Sequence, residues 1–272
     1  MTPPKRRPSG PKAEVPAVAR AARLLEVLAA SGEPVTLASL TRHLDLPKST
    51  VHGLCTTLVQ TGLVTRSDSG AYHLGLRIMD LAHAFLARTD LTAEFVRLLG
   101  RLAPLSEESI VLSVLDGADI VYVACRNGTR PFGFNFRIGM RLPANCTASG
   151  KALLASLPPE RVAGLARERT FYALTRRSIT ELGPLQRKLA QVRRQGYATD
   201  DEETREGMVC FGAPVYGAAG GGALAAVGIS MPKAALTDPL ARAAIDTVKT
   251  LAAELSTRLG AGASRSSERL PG

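Results

Sequence analysis

Residues 36–75 read TLASLTRHLDLPKSTVHGLCTTLVQTGLVTRSDSGAYHLG, and the order of local signals in this stretch decides the fold of the N-terminal part. Thr36 suits the N-cap of a short helix whose Leu37, Leu40 and Leu44 share one face. Asp45-Leu46 makes a tight turn. Pro47 suits the first turn of a further helix, with Val51, Leu54 and Leu58 inward and Gly62 as its stop. Two helices joined by so short a turn make a helix-turn-helix. Residues 63–66, 67–70 and 71–74 then read as strand, turn and strand. Upstream, Val18, Ala21, Leu25 and Leu28 recur at helical spacing, and Gly32 suits a left-handed C-cap. Three short helices closed by a hairpin are the plan of a winged helix, whose third helix enters a major groove.

The residues at the start of that third helix fit the role. Lys48, Ser49, Thr50 and His52 are short polar or cationic groups that reach phosphates or base edges, and a helix N-terminus favours phosphate oxygens. Thr36, Arg42 and, on the hairpin, Arg66 and Tyr72 complete the candidate DNA contacts. In an isolated helix the same Ser49 and Thr50 would merely favour its start, with Lys48 a solvated charge. The preceding helix and the hairpin tip the reading toward DNA.

Composition agrees only in part. The chain has 272 residues, 34 Lys+Arg against 24 Asp+Glu, and a formal net charge of +10. Residues 15–80 carry six basic side chains against five acidic ones, so the proposed DNA-reading part is nearly neutral. Residues 1–14 carry four basic side chains against one acidic, and read as a disordered basic arm. Aromatic residues make up 4% with no Trp, which disfavours a single-strand binder that stacks bases on rings. The longest apolar runs, such as residues 224–227, fall far short of the ~20 residues of a membrane span. Four widely spaced cysteines without a CxxC pair suggest reduced thiols in a cytoplasm.

Beyond residue 76 the pattern is helical, with Ile78, Leu81, Phe85, Phe95, Leu98 and Leu102 as candidate buried positions and a break at Arg88-Thr89-Asp90. From residue 110 the period changes. Residues 110–115 and 119–125 read as one hairpin, 209–215 and 224–231 as another, with helices over 148–157, 182–195 and 239–259. The expected class is α+β with a mainly antiparallel sheet. The expected division is arm 1–14, winged helix 15–76, linker helix 77–103, second domain 104–260 and flexible tail 261–272.

An enzyme of small-acid metabolism with an accessory helix-turn-helix is the competing reading, and the residues oppose it. All four histidines (His43, His52, His73, His83) precede residue 90, so the second domain supplies none for a nucleophile. Gly150-Lys151 lacks the surrounding residues of a phosphate loop. Cys125, Cys146 and Cys210 lie 21 and 64 residues apart, which matches no metal motif. No cofactor or metal is expected. A binding pocket suits residues 147–150 better, because small hydroxyl side chains and amides at a helix N-terminus favour a carboxylate. Thr147 and Ser149 equally suit a plain cap, and Lys151 either adds a cation or faces solvent.

The stretch 36–75 resembles the DNA-binding domain of the isocitrate-lyase-regulator (IclR) family of bacterial transcription factors, through LPKSTVH, the apolar run into Gly62, and GAYHLG. The resemblance continues through CTASGKALLA (146–155), GYATDDEETREGMVCFGAPV (196–215) and GISMP (228–232), and so covers about residues 15–260. Gly53 departs from it, standing where the family usually places an Arg. The resemblance implies a GAF-like effector domain for small organic acids or aromatic metabolites, no catalysis, and a homodimer or dimer of dimers on a pseudo-palindromic double-stranded operator. It further implies a pocket lined by Thr147, Ala148 and Ser149, by Asp200, Met208 and Cys210, and by Gly228 and Ser230. Read without it, Cys210 equally suits a small core hydrophobe, residues 200–203 a solvated acidic loop, and Ser230 either face of a strand.

Overall fold

The computed structural model of the chain describes residues 15–87, 91–102, 105–131, 133–168, 171–218 and 222–260, with the backbone alone at 83–87, 102 and 168. The basic arm, the break at Arg88-Thr89-Asp90 and the C-terminal tail lie outside the described residues, as do the side chains of Phe85 and Leu102. The chain divides into two compact units between Phe85 and Leu86.

In the first unit α1 (Pro16–Ser31), α2 (Leu37–Leu44) and α3 (Lys48–Gln60) pack around Leu24, Leu40, Val51 and Cys55, and β1 (Val64–Arg66) pairs antiparallel with β2 (Tyr72–Leu74). The turns follow the local chemistry. Gly32 takes φ 65° after α1, and the Ser39 N–H donates to Thr36 Oγ1 (3.2 Å) at the start of α2. Asp45 closes α2 in the left-handed region at φ 52°. Val35 and Tyr72 exchange backbone hydrogen bonds of 2.7 and 2.8 Å, which tie the hairpin to the segment before α2.

Four details differ from the sequence pattern. Val18 is exposed and Leu24, four residues before the buried Leu28, takes the inward place on α1. Cys55 rather than Leu54 is fully buried on α3, four residues after Val51 and so directly above it. Pro47 is the residue before α3 rather than within its first turn. Leu81, expected inside, is exposed on α4 (Arg77–Ala87) together with Met79, and Leu76 just before the helix is exposed as well.

The second unit holds α5 (Leu91–Leu102), β3 (Ser109–Asp116), β4 (Asp119–Arg126), β5 (Arg141–Pro143), α6 (Ala148–Ala155), α7 (Pro159–Glu168) and α8 (Leu182–Gln195). It continues with β6 (Ala198–Asp201), β7 (Met208–Val215), β8 (Ala225–Pro232) and α9 (Asp238–Arg258). The strands form one antiparallel sheet in the order β5-β4-β3-β8-β7-β6. The expected hairpins and helices are present. The short strands β5 and β6 and the helix α7 carried too few patterned residues to be read. Alternation along each strand divides the side chains between two faces. Ile110, Phe211, Ile229 and Met231 pack under α5 and α9, whereas Val111, Met208, Cys210 and Ala226 pack under α6, α7 and α8. No helix among the described residues is long and apolar enough to cross a membrane.

Gly53 lies on the exposed side of α3, and a Cβ there would meet nothing within 4 Å. Glycine within a helix loses more backbone entropy than alanine on folding. Gly53→Ala should therefore stabilise the first unit by about 0.5–1 kcal/mol. An increase in the urea midpoint of the full chain is the expected result, and a decrease would mean that the glycine serves the packing of α3.

Candidate functional site

Two places gather polar groups that the fold itself does not require. One is the solvent face of α3. Lys48, Ser49 and His52 are exposed there and Thr50 is half-buried. Pro47 offers no side-chain cap, so the first-turn N–H groups of α3 keep their outward donors. Arg42 is exposed on α2. Thr36 is committed to capping α2. On the hairpin, Arg66 is exposed, its Nε donates to the Gly70 carbonyl (3.4 Å), and its guanidinium lies 5.7 Å from the centre of the Tyr72 ring. Tyr72 is the exception among the expected DNA contacts. Its ring is 3% exposed, inside the small core, and supports Arg66 instead of facing outward.

The second place is a cavity in the second unit, between the sheet and the N-terminus of α6. Every residue expected from the three sequence blocks lines it: Thr147, Ala148 and Ser149, then Asp200, Met208 and Cys210, then Gly228 and Ser230. Strand register explains the convergence. Asp200 on β6 pairs with Cys210 on β7, which pairs with Ser230 on β8, so the three form one cross-strand row. Gly212, Gly228 and Val111 form the next row toward β3. Parity thus turns Ser230 and Gly228 toward the cavity and Ile229 and Met231 into the opposite core. Val111 and Tyr122, to which no motif pointed, also line the cavity, as does Thr204 from within the block 196–215.

The helix above this floor sits unusually close. At Gly212 a Cβ would stand 2.7 Å from both the Ala148 carbonyl carbon and the Ser149 nitrogen, and at Gly150 one would stand 2.3 Å from the Ala144 oxygen. Gly212 is therefore needed for the first turn of α6 to rest on β7, and Gly150 for that turn to pass the Ala144 carbonyl. Thr147 caps the helix, its Oγ1 accepting from the Gly150 N–H (3.0 Å), and lines the cavity as well.

The electrostatics are unbalanced. Lys151, which the sequence left between a pocket cation and a surface charge, is 0% exposed and ion-paired with Glu203. Asp200 is 1% exposed; its Oδ1 accepts from the N–H groups of Glu203 (2.7 Å) and Thr204 (3.2 Å), whereas Oδ2 has no hydrogen-bond partner. Burial raises the Asp200 carboxyl pKa against the opposing pull of Lys151. Burial raises Glu203 likewise. The Cys210 thiol is pushed well up by burial and then by the charge of Asp200, so it is a neutral, unreactive wall. Amides and hydroxyls at a helix N-terminus facing a row with a carboxylate oxygen that has no hydrogen-bond partner offer donors on one side of the cavity and an acceptor on the other. They do not make a nucleophile with its base. Among the described residues no three His, Cys, Asp or Glu side chains group for a metal ion. The cavity is small, leaving about 10 Å³ for the centre of a water molecule.

Two family models match the chain, "IclR helix-turn-helix domain" over residues 17–68 and "Bacterial transcriptional regulator IclR C-terminal" over residues 83–257. The Transcriptional repressor IclR of Escherichia coli is 32% identical over 231 residues, covering 83% of each chain. The crystal structure of the Agobacterium tumefaciens repressor BlcR matches at 38% identity and TM-score 0.59, over 90% of this chain and 98% of that one. An IclR homolog from Microbacterium hydrocarbonoxydans, crystallised with 4-hydroxybenzoate, shares the fold at TM-score 0.75 and 22% identity, over 90% of this chain and all of that one.

One cation for two buried carboxylates generates a stability prediction. A carboxyl whose folded pKa is raised above its unfolded value takes up protons on folding, so its contribution is lost as pH rises through the folded pKa. Asp200→Asn removes the unpaired charge and leaves Lys151 and Glu203 matched, so the thermal midpoint at pH 8 should rise. Lys151→Met leaves two buried carboxylates uncompensated and should cost about 3–5 kcal/mol at the same pH. Equal midpoints for the two variants would refute this account.

Proposed function

The chain belongs to the IclR family of bacterial transcriptional regulators, and on that premise we propose that it reads a pseudo-palindromic operator through α3 and senses a small organic acid or aromatic metabolite in the cavity under α6. It is a regulator with a helix-turn-helix and a ligand-binding C-terminal domain, and its curated relatives are regulators rather than enzymes. The observation that carries the sensing half is the enclosed row Asp200, Cys210, Ser230 beneath the amides of α6. A ligand carboxylate meets the α6 N-terminus, and a hydroxyl on the same ligand donates to Asp200 Oδ2. As a DNA-bound regulator it works in the bacterial cytoplasm, on the nucleoid.

The DNA-binding half rests on Lys48, Ser49, Thr50 and His52, helped by Arg42 and Arg66. Lys48→Ala should weaken operator binding across all sequences and lower its salt dependence, whereas Thr50→Ala should mainly blunt the preference for the operator. Gel shifts on the upstream intergenic region at two salt concentrations measure both. Unchanged affinity in both variants would remove α3 from the interface.

The working unit is a homodimer, with a dimer of dimers as its larger form. Leu76, Met79 and Leu81 are 85%, 66% and 55% exposed in the single chain, apolar side chains on and just before α4 that favour coverage by a second copy. A two-fold dimer then presents two α3 helices to major grooves about one helical turn apart. Ligand shifts the operator equilibrium only by its differential affinity for the two subunit arrangements. Met79→Glu with Leu81→Glu should yield monomers by light scattering and lose operator binding. A dimer surviving the double change would place the interface elsewhere.

A further inference from the structure

We propose that Tyr122, backed by Phe136, sets the size of the ligand, holding the cavity to a short aliphatic acid and shutting out aromatic acids. This rests on the ligand-sensing reading above and deepens it.

Strand β4 bulges just after Tyr122. Leu112 pairs with Ala124 and Ser113 with Tyr122, so Val123 is left over on β4. Bulges of this kind re-aim side chains beside functional sites. Here Ile120 and Tyr122 pack on the α6 side of the sheet, whereas both Val123 and Ala124 pack on the other. Without the extra residue, simple alternation would keep Ala124 on the face of Tyr122.

The ring is then held from behind. It meets Phe136 edge-on, with centroids 5.3 Å apart and planes at 75°. Phe136 cannot retreat freely, because its N–H donates to Asn127 Oδ1 (2.8 Å) and its carbonyl accepts from Asn127 Nδ2 (3.1 Å). The Tyr122 backbone is fixed as well, donating to the Met140 carbonyl (3.0 Å) and accepting from the Gly139 N–H (2.8 Å). The phenol is only 4% exposed, and burial with the nearby Cys210 and Asp200 raises its pKa, so it stays a neutral donor.

Size decides what fits beside this wall. A cavity that takes benzene is on the order of 150 Å³. The space here is about 10 Å³. A short acid needs only rotatable groups such as Met208 to shift. A benzene ring needs Tyr122 itself to leave.

The test is calorimetric titration of the full chain with glycolate, lactate and 4-hydroxybenzoate, for wild type, Tyr122→Ala and Tyr122→Leu. Wild type should bind a short hydroxy acid and not 4-hydroxybenzoate. Tyr122→Ala should gain 4-hydroxybenzoate by about tenfold or more while its short-acid binding weakens. If Tyr122→Ala loses its cooperative melting transition, Tyr122→Leu is read instead, with the same expected gain. Wild type binding 4-hydroxybenzoate as tightly as the short acids would overturn the role of Tyr122 and leave ligand sensing intact. A folded variant that still rejects 4-hydroxybenzoate overturns that role too. Silence of wild type toward all three acids would overturn the proposal and the sensing reading together.

Discussion

The second unit depends on how near one eight-residue helix comes to the sheet beneath it. At Gly212 and Gly150 the backbone of α6 and its approach run so close to β7 and to Ala144 that no side chain fits between. That contact fixes the height at which the first-turn amides of α6 look onto the row Asp200, Cys210, Ser230. It also draws all eight residues of α6 into the interior, Lys151 included. A buried ammonium needs a partner, and Glu203 supplies it from the loop after β6. The same loop turns its Glu203 and Thr204 N–H groups onto Asp200 Oδ1, which leaves Oδ2 without a hydrogen-bond partner on a residue that lines the cavity. Close packing, a buried ion pair and an available acceptor are therefore successive consequences of one approach.

These consequences conflict with stability, and the conflict is informative. Burial raises both carboxyl pKa values beside the single Lys151, and for Glu203 the charge of Asp200 adds to it. An apolar residue at position 200 would pack without that penalty, and natural sequences retain such local conflicts mainly where a site has a task. The hydroxyls of Thr175 and Ser178 donate to the Glu202 and Glu203 carbonyls at 2.7 and 2.6 Å, so the loop is secured by polar bonds on its outer side as well. The Asp200 carboxylate is held in a fixed orientation, which lowers the ordering cost of binding.

Signals that are local in sequence were legible, and those set by register were not. Thr36, Gly32, Asp45 and the strand-turn-strand of residues 63–74 each carry their instruction within a few residues, and each took its expected place. The cavity residues were named from three distant motifs, but composition alone left Asp200 in a solvated acidic run and Cys210 in a core. Only the cross-strand row decides between these. Tyr122 shares a face with Ile120 by plain alternation, but which face of the sheet borders the cavity is set by strand pairing, so no local signal marks Tyr122. Gly212 was passed over because its neighbour in space, Ala148, lies 64 positions away. On α4 the helical period marked Leu81 as inward, yet a period says which residues share a face and not whether the same chain covers it.

Charge gives the N-terminal unit its own constraint. Residues 15–80 are nearly neutral, with six basic side chains against five acidic. The exposed cations among the candidate DNA contacts are few: Lys48, Arg42 and Arg66. Electrostatic affinity for duplex DNA grows with the number of phosphates neutralised, so one such unit holds its site weakly. Two units joined on one operator make the second contact intramolecular and multiply the affinity without any new residue. In the proposed homodimer, pairing would therefore serve useful binding as well as cover apolar surface, and it would supply the lever for control, because anything that changes the spacing of two weak readers costs the assembly most of its hold on DNA.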